Sequence, residues 1–212
     1  MARERADGDV RRRLGSSSGY APMPKSGQAC IGAFRAGIAD RMTIRRLVPA
    51  DAAALQTLRL AALRESPASF SSSYEEECDT PLAVIEKHLA AGSQRTTFGA
   101  FEGSELVGMV GVGREHERKL IHKGFVRSMY VAPAHRGKGL GRQLLQRALS
   151  FASSMQGLRQ VTLSVTAGND AAVALYESAG FTVFGREPDA LLVGNILHEE
   201  MHMVIRVDPG LS

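Results

Sequence analysis

The chain has 212 residues, 44% of them apolar and 23% charged, which is the size and make-up of one globular domain with a core, with or without a tail. Its net charge of +4 sits in residues 1–41, which hold eight of the 26 Lys/Arg and four of the 22 Asp/Glu; the remainder carries eighteen of each. A neutral body argues against a nucleic-acid partner for the folded part, and two cysteines, Cys30 and Cys78, exclude a disulfide framework.

No apolar run approaches the roughly 20 residues that cross a bilayer, and the start lacks the apolar stretch of a secretory signal. A cytoplasmic protein with no membrane partner is expected. Residues 1–41, rich in Arg, Gly, Ser and Pro, predict a basic, disordered extension; residues 42–207 form the domain and 208–212 a short tail. An Arg-rich arm on nucleic acid is the alternative use of the extension.

From Met42 the elements alternate. "TIRRL" suits a strand, and Pro49 and Asp51 open a helix through "AAALQTLRLAALRE", with Leu55, Leu58 and Ala62 at i, i+3, i+7. "SPASFSSSYEEECDTP" is loop-like; "LAVIEKHLAA" after Pro81 is a short helix. "TTFGAFEGSELVGMVGVG" predicts a hairpin turning at Glu102–Ser104, and "HKGFVRSMYV" a further strand. A helix, "GRQLLQRALSFASSM", and an alternating strand, "QVTLSV", follow. "NDAAVALYESAG" is a helix closed by Gly180, and "FTVFGRE" and "MHMVIRV" are the last strands. The fold class is α/β with mixed α+β order: six or seven strands and about four helices.

Between the strand "FVRSMYV" and its following helix lies "AHRGKGLGRQ", in which Gly137, Gly139 and Gly141 alternate with cations. Glycine permits positive φ and close approach to the backbone, and amides at a helix start surrounded by cations make an anion site. The spacing fits neither G-x-x-x-x-G-K-[ST] nor G-x-G-x-x-G. It fits R/Q-x-x-G-x-G, as Arg136, Gly137, Lys138, Gly139, Leu140, Gly141. With the strand before it, and with "VTLSVTAGNDAAVALYESAGFTVFGRE" supplying N-x6-Y and then "GF", the chain resembles the GNAT superfamily of N-acetyltransferases from about Met42 to Val207.

The resemblance implies the GNAT acyl-CoA N-acyltransferase fold, with a central mixed, mostly antiparallel sheet. It also implies acetyl-CoA as co-substrate, with no metal. Arg136 through Arg142 (Arg136, Gly137, Lys138, Gly139, Leu140, Gly141, Arg142) would cradle the pyrophosphate. The segment Met129, Tyr130, Val131 would pair with the pantetheine arm, a splay or bulge there pointing an amide at the thioester carbonyl. Asn169 would hold the arm. Tyr176, with an ordinary phenol pKa near 10, would protonate the leaving thiolate. Seven residues apart on a helix, Asn169 and Tyr176 would fall within about 20° of one face.

Direct attack by the amine needs no nucleophile on the protein, so the cysteines are expected to be bystanders. The attacking amine must still lose a proton. His122, Glu115, Glu117 and the run Glu75–Glu77 are candidate bases, none at a diagnostic position. The expected acceptor is a primary amine on a small molecule or a protein, and a homodimer is among the assemblies expected. A longer acyl-CoA donor and a catalytically silent coenzyme-A-binding sensor are the alternatives.

Overall fold

The computed structural model describes residues 42–90 and 92–207; the expectations for residues 1–41 and 208–212, and for Cys30, lie outside them. Seven strands form one sheet in the order β1-β2-β3-β4-β5-β7-β6: β1 Met42–Arg46, β2 Arg95–Glu102, β3 Glu105–Arg114, β4 Lys123–Val131, β5 Gln160–Thr166, β6 Thr182–Val193 and β7 Ile196–Arg206. Every neighbouring pair is antiparallel except β4 and β5.

Strand alternation divides the side chains between two cores. On one face Val110, Val112, Val161, Leu163 and Met203 pack against helices α4 (Leu140–Ser153) and α5 (Asp170–Ser178). Leu144, Leu145 and Ala148 point inward along α4 and are fully buried, as the i, i+1, i+4 spacing requires. On the other face Leu47, Phe101 and Met109 meet Leu58, Ala62 and Leu63 of helix α1 (Ala52–Glu65) and Leu89 of α3 (Leu82–Ala90). Fully burying one such aliphatic side chain contributes about 1.5–3 kcal/mol.

Two sequence expectations are corrected. The stretch taken as loop contains a one-turn helix, α2 (Tyr74–Glu77), where Glu76 N–H donates to Ser73 Oγ (3.3 Å) and Ser73 N–H to Glu76 Oε2 (2.7 Å). These are the two reciprocal bonds of a capping box. The last two strands are also far longer than "FTVFGRE" and "MHMVIRV": they run into one another through a turn at Gly194, whose φ is +59°. Pro188 and Asp189 (φ +54°) lie in a register shift between Glu187 and Leu191, which breaks the alternation a strand is recognised by.

The sheet opens in the middle. β4 and β5 pair in parallel only through Lys123–Phe125 and Gln160–Thr162, and beyond Phe125 the two strands diverge. On its other edge β4 carries a bulge. Met109 faces Tyr130 but Gly111 faces Arg127, so Ser128 and Met129 share the place opposite Val110. Ser128 has φ +54°, one of two non-glycine residues among those described with positive φ. Both the splay and the bulge expected in this strand are present.

Candidate active site

Two clefts of about 1220 Å³ each flank the opening. One lies between the glycine loop, α5 and the end of β4; the other lies over the opposite face of β4 and β5, beneath α1 and α3. They share Val126, Arg127, Ser128 and Ser164, with Ser69 and Phe70 from the segment after α1. The splayed strands therefore connect the two.

The glycine loop lines the first cleft. Gly137 and Gly139 adopt φ of +73° and +79°, and a Cβ at either would meet no other group within 4 Å. The left-handed backbone, which disfavours any Cβ, is what requires glycine there. Gly141 differs: its φ is ordinary, and a Cβ would come within 3.3 Å of Leu175 Cδ2. Gly139 is the residue before α4, and Gln143 N–H reaches back to its carbonyl at 3.2 Å. The amides ahead of Gln143 have no helical carbonyl to bond, and their residues line the cleft. Leu140 contributes its backbone alone, since its side chain is buried in the core. Lys138 is exposed and donates to Ala134 O (3.0 Å), while Arg142 reaches Ser178 Oγ at 3.5 Å.

Arg136 is held differently from the other two cations. Its guanidinium forms a fork on Glu65, Nη1–Oε1 3.1 Å and Nη2–Oε2 2.7 Å, and its Nε donates to Val131 O at 2.9 Å. The plane lies over the Tyr130 ring, 5.4 Å from its centroid. Hydrogen bonds from Arg136, then Ser66, bring the Glu65 carboxyl down to about 2, and burial raises the Tyr130 hydroxyl. Arg136 thus ties the end of α1 to the end of β4 and presents the loop through its backbone.

Of Met129, Tyr130 and Val131, the ladder frees two. Ala132 N–H bonds to Val107 O at 2.9 Å. By antiparallel alternation the Tyr130 amide turns to β3, and the Val131 amide turns away into the opening. Met129 is in the bulge, off the regular ladder. Tyr130 is buried in the α1-side core.

Tyr176 is 6% exposed and lines the first cleft. Burial pushes its hydroxyl up to about 12, so it remains a donor throughout the physiological range. The end of α5 fixes it: Phe181 N–H bonds to Tyr176 O (3.1 Å) and Gly180 N–H to Glu177 O (2.9 Å), with Gly180 at φ +95°. That is a Schellman closure, and it places Phe181 on Tyr176.

Asn169 also reaches the cleft but is not on the helix face the spacing suggested. It is the N-cap of α5, with φ −93° and ψ 68°, and its Oδ1 accepts from Ala172 N–H at 3.1 Å. Capping occupies that oxygen, and Nδ2 stands 3.5 Å from Ser69 Oγ.

Sequence reasoning missed a chain of polar groups across β5, β7 and β6. Ser164 Oγ is 2.9 Å from His202 Nδ1, and His202 Nε2 is 3.0 Å from Glu187 Oε2. The Phe184 ring lies 6.1 Å from the imidazole. With Glu187 ionised, Nε2 carries the proton given to the carboxylate and Nδ1 accepts from Ser164. Ser164 is on the wall common to both clefts. Of the bases considered from sequence, Glu115 and Glu77 line the second cleft, but Glu77 is locked on Arg59 (2.7 and 2.9 Å). His122, Glu117 and Cys78 line neither cleft, and Cys78 Sγ faces Glu75 O at 3.5 Å.

This architecture is matched among known proteins. The sequence model of the acetyltransferase (GNAT) family matches residues 59–181, more than half of the chain. The chain belongs to the acetyltransferase (GNAT) family. It is 39% identical over 105 residues to the N-alpha-acetyltransferase RimI of Mycobacterium tuberculosis, covering 50% of this chain and 63% of that one. It is 28% identical over 130 residues to the spermidine N(1)-acetyltransferase of Vibrio cholerae, covering 61% and 73%. The chain spans less than two thirds of the RimI relative's length and of several other curated relatives. The structure of yncA from Salmonella typhimurium, solved with its cofactor acetyl-CoA, superposes with a TM-score of 0.66 at 25% identity, covering 81% of this chain and 97% of that one. As a GNAT fold, the chain has a seven-stranded, mostly antiparallel sheet, at the upper end of the expected six or seven strands.

Proposed function

We propose that this chain is an N-acetyltransferase that moves the acetyl group of acetyl-CoA directly to a primary amine of a small molecule or a protein. The observation that carries the reading is the opening between β4 and β5, where two clefts of equal size meet at Ser128 and Ser164. A donor and an acceptor entering from opposite faces come together there, and no residue need carry the acyl group between them.

The residues of the first cleft fit the donor. The left-handed glycines and the α4 amides suit a pyrophosphate, with Lys138 and Arg142 adding positive field at its edge. The Val131 amide offers a strand-like donor to an amide-bearing arm. Bound there, acetyl-CoA supplies an activated acyl thioester. The Met129 amide, in the bulge, then stabilises the charge that develops on the carbonyl oxygen, and the Tyr176 hydroxyl donates its proton toward the departing sulfur.

On the acceptor side Ser164 takes the proton that the amine releases and passes its own to His202 Nδ1, with Glu187 holding the imidazole and stabilising its charged form. Protons balance: one leaves the amine toward His202, and one reaches the sulfur from Tyr176.

The test is a panel of amines incubated with acetyl-CoA and read by mass spectrometry of the products. One acceptor gaining a single acetyl group bears the reading out. Tight acetyl-CoA binding with no transfer to any amine or protein terminus replaces it with a coenzyme-A-binding sensor, and a preference for longer acyl-CoA changes the donor.

A further inference from the structure

The second cleft holds two arginines with no carboxylate. Arg127, on β4, and Arg95, at the start of β2, both stack on Phe125, with guanidinium carbons 4.6 and 5.5 Å from its ring centroid. All three line this cleft, and among the described residues neither arginine makes an ion pair. The charges around them do not compensate. Arg59, Arg95, Lys123 and Arg127 face Glu77, Glu115 and Glu200, and Arg59 already occupies Glu77. Desolvation and then repulsion from Arg95 lower the Arg127 pKa; Glu115 acts against them and Arg59 with them. Two cations held close on one aromatic ring repel each other until an anion comes between them, and a planar fork suits a carboxylate.

From this, and resting on the acetyl-transfer reading above, we propose that the acceptor is a small amine bearing its own anionic group, of the amino-acid type, with the anion held by Arg127 and Arg95. Arg127, Ser128 and Ser164 share the wall common to the two clefts, so an anion on Arg127 keeps the attached amine on the wall that borders the opening. A polyamine meets the same arginines as like charges.

Calorimetric titration of the protein saturated with coenzyme A, which permits no turnover, tests this apart from the chemistry. The ligands are the common L-α-amino acids, their carboxamides and spermidine. At least one acid should bind tenfold or more tighter than its own amide. Arg127→Met, which keeps the stem on Phe125, should erase that ratio, and Arg95→Gln, at a residue that lines the second cleft and not the first, should reduce it with coenzyme A affinity unchanged. Equal binding of acid and amide, tighter binding of spermidine, no binding of any acid, or an unaltered ratio in Arg127→Met overturns the proposal. Acid binding that depends on Arg127 without any acetyl transfer upholds it while refuting the transfer reading. Acetyl transfer that favours the amides upholds transfer and refutes this.

Discussion

The Tyr176 and Phe181 rings meet edge to face, with centroids 5.9 Å apart and planes at 64°. The contact locks the tyrosine by its ring, through the helix closure that ends α5, and leaves its hydroxyl for the cleft. Tyr176→Phe keeps this packing and removes only the proton. Turnover should fall by about 10²–10⁴, the range for a lost general acid, with acetyl-CoA affinity little changed. Steady-state kinetics with any acceptor found in the amine panel checks it; turnover within threefold of the parent assigns the proton to water or another group.

Gly139→Val should weaken acetyl-CoA binding at least tenfold, about 1.4 kcal/mol, because a β-branched residue resists a φ of +79°. Gly141→Val acts by a different route, through its 3.3 Å approach to Leu175, and should cost stability as well as affinity. Calorimetry and melting curves of the two variants separate the routes; full affinity in both moves the phosphate site elsewhere.

On the proposed proton path, His202→Gln removes the group that takes the acceptor's proton. The rate should drop by roughly 10²–10⁴ while acetyl-CoA binding stays intact, and Glu187→Gln should lower it less. Turnover of His202→Gln equal to the parent's would show the chain of polar groups to be a structural tie between strands.

The Glu65–Arg136 fork gives a pH dependence of stability. Glu65 has a folded pKa of about 2 against an ordinary 4.5. Its contribution is therefore complete above pH 4.5 and disappears as the pH falls toward 2. The pair is partly exposed, so solvent screening limits it to about 0.2–1 kcal/mol. Glu65→Gln should melt lower than the parent at pH 7, and the gap should narrow steadily as the pH falls from 4.5 toward 2. A gap that stays constant over that range places the effect in packing instead.

The glycine-loop cleft was legible because its signals are local. The glycine loop spans six residues, and the strand before it and helix after it have clear periods. The polar chain was not, because Ser164, Glu187 and His202 become neighbours only through the register Ser164↔His202 and Gly185↔His202. The shift between Val183 and Gly185 hid that register by breaking the alternation. Arg95 and Arg127 likewise meet on Phe125 through pairing of β2, β3 and β4. The one-turn helix α2 was available in principle, since Ser73 and Glu76 have the S-x-x-E spacing of a helix start; the serine run before it resembled a loop more strongly.

Three register pairs hold β4 to β5, so the sheet amounts to two leaves riveted at one end, β1–β4 and β5–β7–β6. The helices on one face bridge them, but the far ends have no backbone rivet of their own. A ligand that bonds to both leaves across the gap supplies one, and its departure takes it away. A donor bound as proposed makes the molecule stiffest in the middle of its working cycle and loosest between cycles, when one product leaves and the next donor enters between the leaves.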